Sequence, residues 1–279
     1  MLMRPDREAL ERLVRMALAE DAPWGDVTSQ TLVAESTRVS AQLVAREDGV
    51  LCGEDVFALA MSGATTAFAV HDGERFRKGD VLATVDGPAR AVLQAERVAL
   101  NFVQRLSGIA TLTARYVAAA AGTKARIVDT RKTTPGLRVV ERYAVRCGGG
   151  RNHRFSLSDA MLAKDNHLAL VTGDLTAALR AARASLPHTT HIEVEVDRLD
   201  QIEAVLAAGV DTIMLDNFSL EDLRAGVLQV AGRALVEASG GVTLERIAEI
   251  AATGVDLISV GALTHSVRAL DLGLDIAVG

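Results

Sequence analysis

The sequence predicts an α/β chain. Its larger part is expected to be a parallel sheet curled into an incomplete, nearly closed barrel of about six strand–helix units. Three observations carry this. From Ala125 onward, short apolar runs alternate with stretches holding apolar residues at helical spacing, the rhythm of parallel strands joined by right-handed crossovers. The units occupy about 140 residues, fewer than the ~250 of an eight-unit barrel. The first residues past each run are charged, amide-bearing or glycine, which suits a fold that binds ligands at the carboxyl ends of its strands.

Taken in order, residues 5–20 read as an amphipathic helix with Leu10, Leu13, Val14, Ala17 and Leu18 on one stripe. Asp26, Val27 and Thr28 follow a Pro-Trp-Gly turn. Short strand-like runs at 40–45, 50–52, 67–71 and 81–85 are separated by Gly49, Gly53, Gly73, Gly79 and Gly87. The segment GERFRKGDVLATVDGPARAVL resembles the small β-sandwich of biotinyl and lipoyl carriers. Lys78 precedes Gly-Asp at a turn instead of standing at a hairpin tip beside methionine, so this piece reads as scaffold. Residues 94–121 return to helical spacing, with Leu100, Val103, Leu106 and Ile109 on one face. Barrel strands are expected at 126–128, 161–163, 192–196, 212–215, 234–238 and 257–260, and helices at 174–186, 199–208, 220–230 and 244–252.

Bulk properties exclude several classes. A chain of 279 residues holds one barrel-sized domain plus a smaller one. No apolar run reaches the roughly 18 residues of a membrane span. The first residues mix acids and bases at helical spacing, without a signal peptide's apolar block. Two cysteines, Cys52 and Cys147, are too few for a disulfide framework, and neither sits in a metal-type pair. A cytoplasmic location without membrane partners is therefore expected. A net charge of -6 and 3% aromatics argue against nucleic-acid binding.

Against that acidic background, residues 129–167 gather Arg131, Lys132, Arg138, Arg142, Arg146, Arg151, His153, Arg154 and Lys164. Pro135 and Gly148-Gly149-Gly150 interrupt the stretch, so the cations are expected on loops, around a polyanionic ligand. Only four of the thirty basic residues are lysine, at 78, 124, 132 and 164. A compact ammonium at 132 and 164 does different work from a guanidinium fork. At the other strand ends stand Glu195 and Asp197, Asp216 and Asn217, Ser239-Gly240-Gly241, and Gly261-Ala262. Glycine-rich loops leading into helices can cradle phosphate, and the last two such loops of a barrel commonly do. Glu195 and Asp216 offer oxygen ligands suited to Mg²⁺, or acceptors for ribose hydroxyls. Arg131, His153, Arg154 and Lys164 then face the carboxylates of a second substrate.

DTRKTTPGLR, RCGGGRNHR, AKDNH, EVEVD, MLDN, EASGG and SVGALTHS, in this order, closely resemble the quinolinate phosphoribosyltransferase family. The likeness extends through AERVALNFVQRLSGIAT and covers nearly the whole chain. It implies an N-terminal α/β sandwich over 1–110, joined by the tail 268–279, and an incomplete α/β barrel over 111–267. It implies conversion of quinolinate and phosphoribosyl pyrophosphate to nicotinate mononucleotide, pyrophosphate and carbon dioxide, with Mg²⁺, in de novo NAD synthesis. It also implies a homodimer in which each sandwich covers the partner's barrel mouth; assembly into hexamers is left open.

The same resemblance implies the site. Thr130, Arg131, His153, Arg154 and Lys164 match the quinolinate pocket, and Arg97 the arginine supplied by the other subunit. Lys132, Glu195 and Asp216 match the catalytic contacts to phosphoribosyl pyrophosphate and Mg²⁺. Ser239, Gly240, Gly241, Val260, Gly261 and Ala262 match the phosphate loops. The intact TRK and KDNH motifs argue against a related group linked to molybdate-transport genes. Two rival readings are an aldolase-type barrel forming a Schiff base on Lys132 or Lys164, and a binding protein that has kept the fold and lost the activity.

Overall fold

The computed structural model describes residues 4–277. The ends of the two expected domain ranges, 1–3 and 278–279, lie outside the described residues. In chain order the strands are β1 (Arg38–Ala45), β2 (Gly49–Val50), β3 (Thr65–Phe68), β4 (Arg75–Phe76), β5 (Val81–Pro88), β6 (Arg126–Val128), β7 (Met161–Ala163), β8 (Ile192–Val196), β9 (Thr212–Asp216), β10 (Leu235–Ser239), β11 (Leu257–Ser259) and β12 (Leu272–Ala277). The residues cluster into two compact units. One comprises 1–114, 132–149 and 263–279, the other 115–131 and 150–262.

The first unit is built on an antiparallel sheet ordered β12-β1-β5-β3, with β2 and β4 paired separately. β1 alternates buried Ala41, Leu43 and Ala45 with more exposed neighbours, the pattern of a sheet with one covered face. Phe57 and Phe68 meet edge to face at 5.8 Å between ring centroids. Asp6 caps the Arg7–Asp21 helix by accepting from Ala9 N–H at 3.0 Å, and Leu10 and Val14 are its buried residues. Two short helices escape the sequence reading, Val27–Leu32 and Glu54–Ala60. Asp26 begins the first by accepting from the N–H groups of Thr28 and Ser29.

The expectation that the cations of 129–167 sit on loops is corrected here. Arg138, Arg142 and Arg146 lie one turn apart on a helix, Arg138–Cys147. Pro135 and Gly148 flank this helix and do not break it. Its face of Val140, Tyr143, Ala144 and Cys147 is buried, so it is an amphipathic element packed inside the first unit, and Arg142 is itself buried. Gly148 closes it because there is no room for a side chain. A Cβ would strike Ala110 O and come within 2.6 Å of Thr113 Cβ.

The second unit is a six-stranded parallel sheet in the order β6-β11-β10-β9-β8-β7. Crossover helices include Leu175–Ser185, Ile202–Ala207, Leu220–Val230 and Ile247–Ala251. β8 is buried along its whole length, as expected of a parallel strand covered on both faces. The outer strands β6 and β7 do not pair with each other; instead Arg151 forms a parallel bridge to Val128 on the free edge of β6. Arg126 of β6 and Ala160, just before β7, nevertheless line one cavity of about 460 Å³. Residues from the two opposite sheet edges share this space only if the sheet curls, which makes the unit an incomplete barrel.

Candidate functional site

Within the barrel unit, most of the expected site residues lie at strand ends, while His153 and Arg154 stand in the loop that precedes β7. Thr130 and Arg131 follow β6, and Lys164 follows β7. Glu195 is the penultimate residue of β8, while Asp216 and Ser239 close β9 and β10. Val260, Gly261 and Ala262 follow β11. Lys164 Nζ binds Glu195 Oε2 at 2.6 Å. This joins the residue expected to hold a diacid to one expected to face ribose or Mg²⁺.

Asp216 and Ser239 are register partners, and the loops beyond them interlock. Asn217 N–H donates to Ser239 O at 2.9 Å, and its side-chain amide donates to Asp216 Oδ2 at 2.6 Å. Asn217 holds φ 58 and Gly240 φ 86, two left-handed positions facing each other, where strain tends to mark function. A Cβ on Gly240 would collide with Asn217 Oδ1 and lie 2.8 Å from Asn217 N. Gly240→Ala is therefore expected to destabilise the barrel by about 1–3 kcal/mol, read as a lower denaturant midpoint at unchanged slope.

Arg131 and Arg154 form the cationic part. Burial and the nearby charge of Arg131 together push the pKa of Arg154 below the usual arginine value. Arg154 Nη1 is anchored to Ala160 O at 3.0 Å. Two guanidinium groups this close repel each other, and a dianion between them would relieve the repulsion.

His153 is placed differently from its expected role as a substrate contact. Its Nδ1 accepts the Arg154 backbone N–H at 2.8 Å. Its Nε2 lies 2.8 Å from Glu193 Oε2 and 3.7 Å from Glu237 Oε1. Both ring nitrogens thus face protein groups. Burial opposes a charge on the ring. The bond to Glu193 and the fields of Glu193, Glu237 and Asp129 favour it and leave the pKa raised. Charging would still need a proton on Nδ1, where an N–H already points, so the geometry holds the neutral Nε2–H form.

Sequence reasoning missed Glu193 and Glu237, both buried. The signal was available: each is an acid flanked by apolar residues within a parallel strand, and a buried charge requires a partner. Burial and the proximity of Glu193 push the Glu237 pKa up to about 8. The sign follows directly. An acid raised from 4.5 to about 8 gives stability that is complete below the unfolded value and lost as pH climbs through that window. Glu237→Gln should flatten this loss, seen as a thermal-midpoint advantage over wild type that grows between pH 5 and 8.

His153, Glu193 and Glu237 have atoms close enough to hold a metal, as do Cys52, Asp72 and Cys147 in the first unit. Neither set is prepared for one. His153 Nε2 is engaged by Glu193 at 2.8 Å. Asp72 is saturated by the N–H groups of Gly53 and Glu54 and by the Tyr143 hydroxyl. Burial drives the Cys52 thiol well above its ordinary value, so Cys52 packs as a neutral thiol.

Arg97 and Lys132 belong to the first unit. The Lys132 carbonyl accepts from Thr264 Oγ1 at 2.7 Å. The loop after it is held by Glu141, which is fully buried. Glu141 Oε1 accepts from Arg105 Nε and Nη2 at 2.8 and 2.6 Å, and Oε2 accepts from Thr134 N–H at 3.0 Å. Arg105 Nη2 also reaches Thr134 Oγ1 and Thr264 O.

The chain matches two family models, the quinolinate phosphoribosyl transferase N-terminal domain over residues 26–107 and its C-terminal domain over 109–275. It is 48% identical to the carboxylating nicotinate-nucleotide pyrophosphorylase of Mycobacterium leprae, over 99% of this chain and 100% of that one. It is 40% identical to a decarboxylating quinolinate phosphoribosyltransferase of Nicotiana tabacum, over 96% of this chain and 82% of the relative. Among solved structures, the nicotinate-nucleotide pyrophosphorylase of Francisella tularensis superposes with a TM-score of 0.93 at 38% identity, over 99% of both chains.

Proposed function

This chain belongs to the quinolinate phosphoribosyltransferase family, and on that premise we propose that it makes nicotinate mononucleotide from quinolinate and phosphoribosyl pyrophosphate, releasing carbon dioxide and pyrophosphate, in de novo NAD synthesis. The observation that supports this reading is the Lys164–Glu195 pair at the ends of neighbouring strands. Arg131, past the end of β6, is near enough to Arg154 to lower its pKa, and such cations suit a dicarboxylate. Asp216 is locked to the Ser239-Gly240 loop.

The chemistry follows from charge. Arg131, Arg154 and Lys164 bind the pyridine dicarboxylate, and the forked guanidinium groups select two carboxylates over one. Lys132 stabilises the leaving pyrophosphate as the bond at ribose C1 breaks and its electron pair departs with the phosphate oxygen. Glu195 and Asp216 stabilise the cation-like C1 that remains. The pyridine nitrogen attacks C1 and becomes positive. That charge stabilises the electron pair left on C2 when the adjacent carboxylate leaves as carbon dioxide, after which C2 takes a proton. Fixed charges in a dry site supply the catalysis, and no side-chain nucleophile is needed. Glu195 and Asp216, an all-oxygen donor pair on adjacent strands, fit Mg²⁺, and when bound it would supply neutralising charge to the pyrophosphate.

The working form is a cytoplasmic homodimer with Arg97 completing the partner's quinolinate pocket. Among the described residues no helix is long and apolar enough to cross a membrane. A two-part assay tests this. Nicotinate mononucleotide should appear only when quinolinate, phosphoribosyl pyrophosphate and Mg²⁺ are all present. Mixing inactive Arg97→Ala and Lys164→Ala chains should restore activity through dimers with one intact site. Failure of the first part rejects the reaction; failure of the second alone rejects the shared site.

A further inference from the structure

Beneath the strand ends the barrel holds a second polar layer. Glu193 on β8 and Glu237 on β10 are 4% and 1% exposed, and Oε1 of each lacks a hydrogen-bond partner within the protein. They line the cavity described above. His153 and Arg154 line it too, and four further lining residues, Arg126, Thr212, Leu235 and Leu257, are the first residues of their strands. The cavity therefore reaches the amino ends of the strands, and Arg154, proposed to meet the dicarboxylate, is one of its walls.

Two buried acids cost stability unless something uses them. Here Glu193 terminates a directed chain of hydrogen bonds, with Glu237 Oε1 3.7 Å from the same ring nitrogen. Glu193 accepts from His153 Nε2–H. The same ring accepts the Arg154 N–H on Nδ1. Asp129, fully buried, accepts the His153 N–H at 2.7 Å and the Asn152 amide at 2.6 Å. Both backbone N–H groups leading into Arg154 are thus fixed, one by Asp129 and one by the imidazole. The Arg154 guanidinium is fixed at its far end by Ala160 O. If the His153 tautomer reversed, an N–H on Nδ1 would face the Arg154 N–H, and the segment would have to move.

We propose that Glu193, backed by Glu237, is a positioning residue. It holds His153 as the Nε2–H tautomer, and through Nδ1 that tautomer sets Arg154 for one carboxylate of the dicarboxylate substrate. The proposal rests on the reaction assigned above. It gives His153 an indirect role and adds two acids to the machinery. An arginine aimed in advance loses less freedom on binding. A displacement on the order of 1 Å is enough to weaken a bidentate pair seriously.

The test combines a spectroscopic and a kinetic arm on the full chain. In wild-type protein with ¹⁵N-labelled histidine, the His153 resonances, assigned with His153→Gln, should show a pyridine-type Nδ1 and a protonated Nε2. Glu193→Gln should abolish that single-tautomer signature. Kinetically, Glu193→Gln should raise KM for quinolinate about tenfold, with a smaller change in kcat and none in KM for phosphoribosyl pyrophosphate. Imposed on Arg154→Ala, the same change should alter KM by less than about twofold, because the residue through which it acts is gone. A protonated Nδ1 in the wild type would overturn the proposal. So would full additivity of the two substitutions, or equal losses for both substrates, the pattern of a merely loosened fold. Absence of any turnover by the wild type would instead remove the reaction assignment on which the proposal stands, and the nitrogen spectra would still decide the tautomer.

Discussion

Arg131→Ala is expected to lower kcat/KM for quinolinate by on the order of a hundred- to a thousandfold, the effect of truncating one partner of a desolvated, hydrogen-bonded charge pair. Arg131 lies three residues past the end of β6, and its charge is near enough to depress the Arg154 pKa. Two guanidinium groups this close repel each other, and a dianion between them would relieve that repulsion. Arg131→Lys should fall between wild type and alanine, since it keeps the charge and loses the planar fork. Saturation kinetics with each substrate varied in turn would show the loss on the quinolinate side. Near-normal turnover by the alanine variant would remove Arg131 from the site.

Glu141→Ala should act on folding rather than chemistry, by roughly 3 kcal/mol. Glu141 has no solvent exposure, while the Arg105 side chain is about 30% exposed, so the lower end of the range for breaking a buried pair applies. Arg105 keeps its bonds to Thr134 Oγ1 and Thr264 O. Thr134 N–H, however, loses its acceptor. In a chain of this length such a loss corresponds to a thermal midpoint lower by about 6–12 °C. Glu141→Gln, which retains an acceptor oxygen, should cost less. Because Thr264 also donates to the Lys132 carbonyl, the alanine variant should in addition raise KM for phosphoribosyl pyrophosphate. Calorimetry showing a midpoint within a degree of wild type would contradict the account of this network.

The barrel was legible because its code is local. β6, β7 and β8 fall on the expected residues, β9 and β11 differ by one residue at an end, and β10 is shifted by one residue. An apolar run of strand length, bounded by glycine or charge and followed by a helical stripe, leaves few alternatives. The strand-end residues could be read for the same reason, and Lys164 and Glu195 do meet. The helix Arg138–Cys147 was hidden because its arginines imitate a loop. What makes Glu141 tolerable inside is tertiary: Arg105, far back in the chain, neutralises it. Asp26 before Val27 was a readable helix cap that went unused. The partners of His153 arrive from β8 and β10, and no spacing rule links them to residue 153. Only the oddity of an acid at Glu193 or Glu237 within a buried strand announced that something would meet it.

Quinolinate labelled in its 2-carboxylate gives the most direct measurement of whether two anions are held together for one coupled reaction. With phosphoribosyl pyrophosphate and Mg²⁺, labelled carbon dioxide, pyrophosphate and nicotinate mononucleotide should form in equal amounts. Without phosphoribosyl pyrophosphate no label should be released. Label released without the second substrate, or pyrophosphate formed without quinolinate at a comparable rate, would contradict the account.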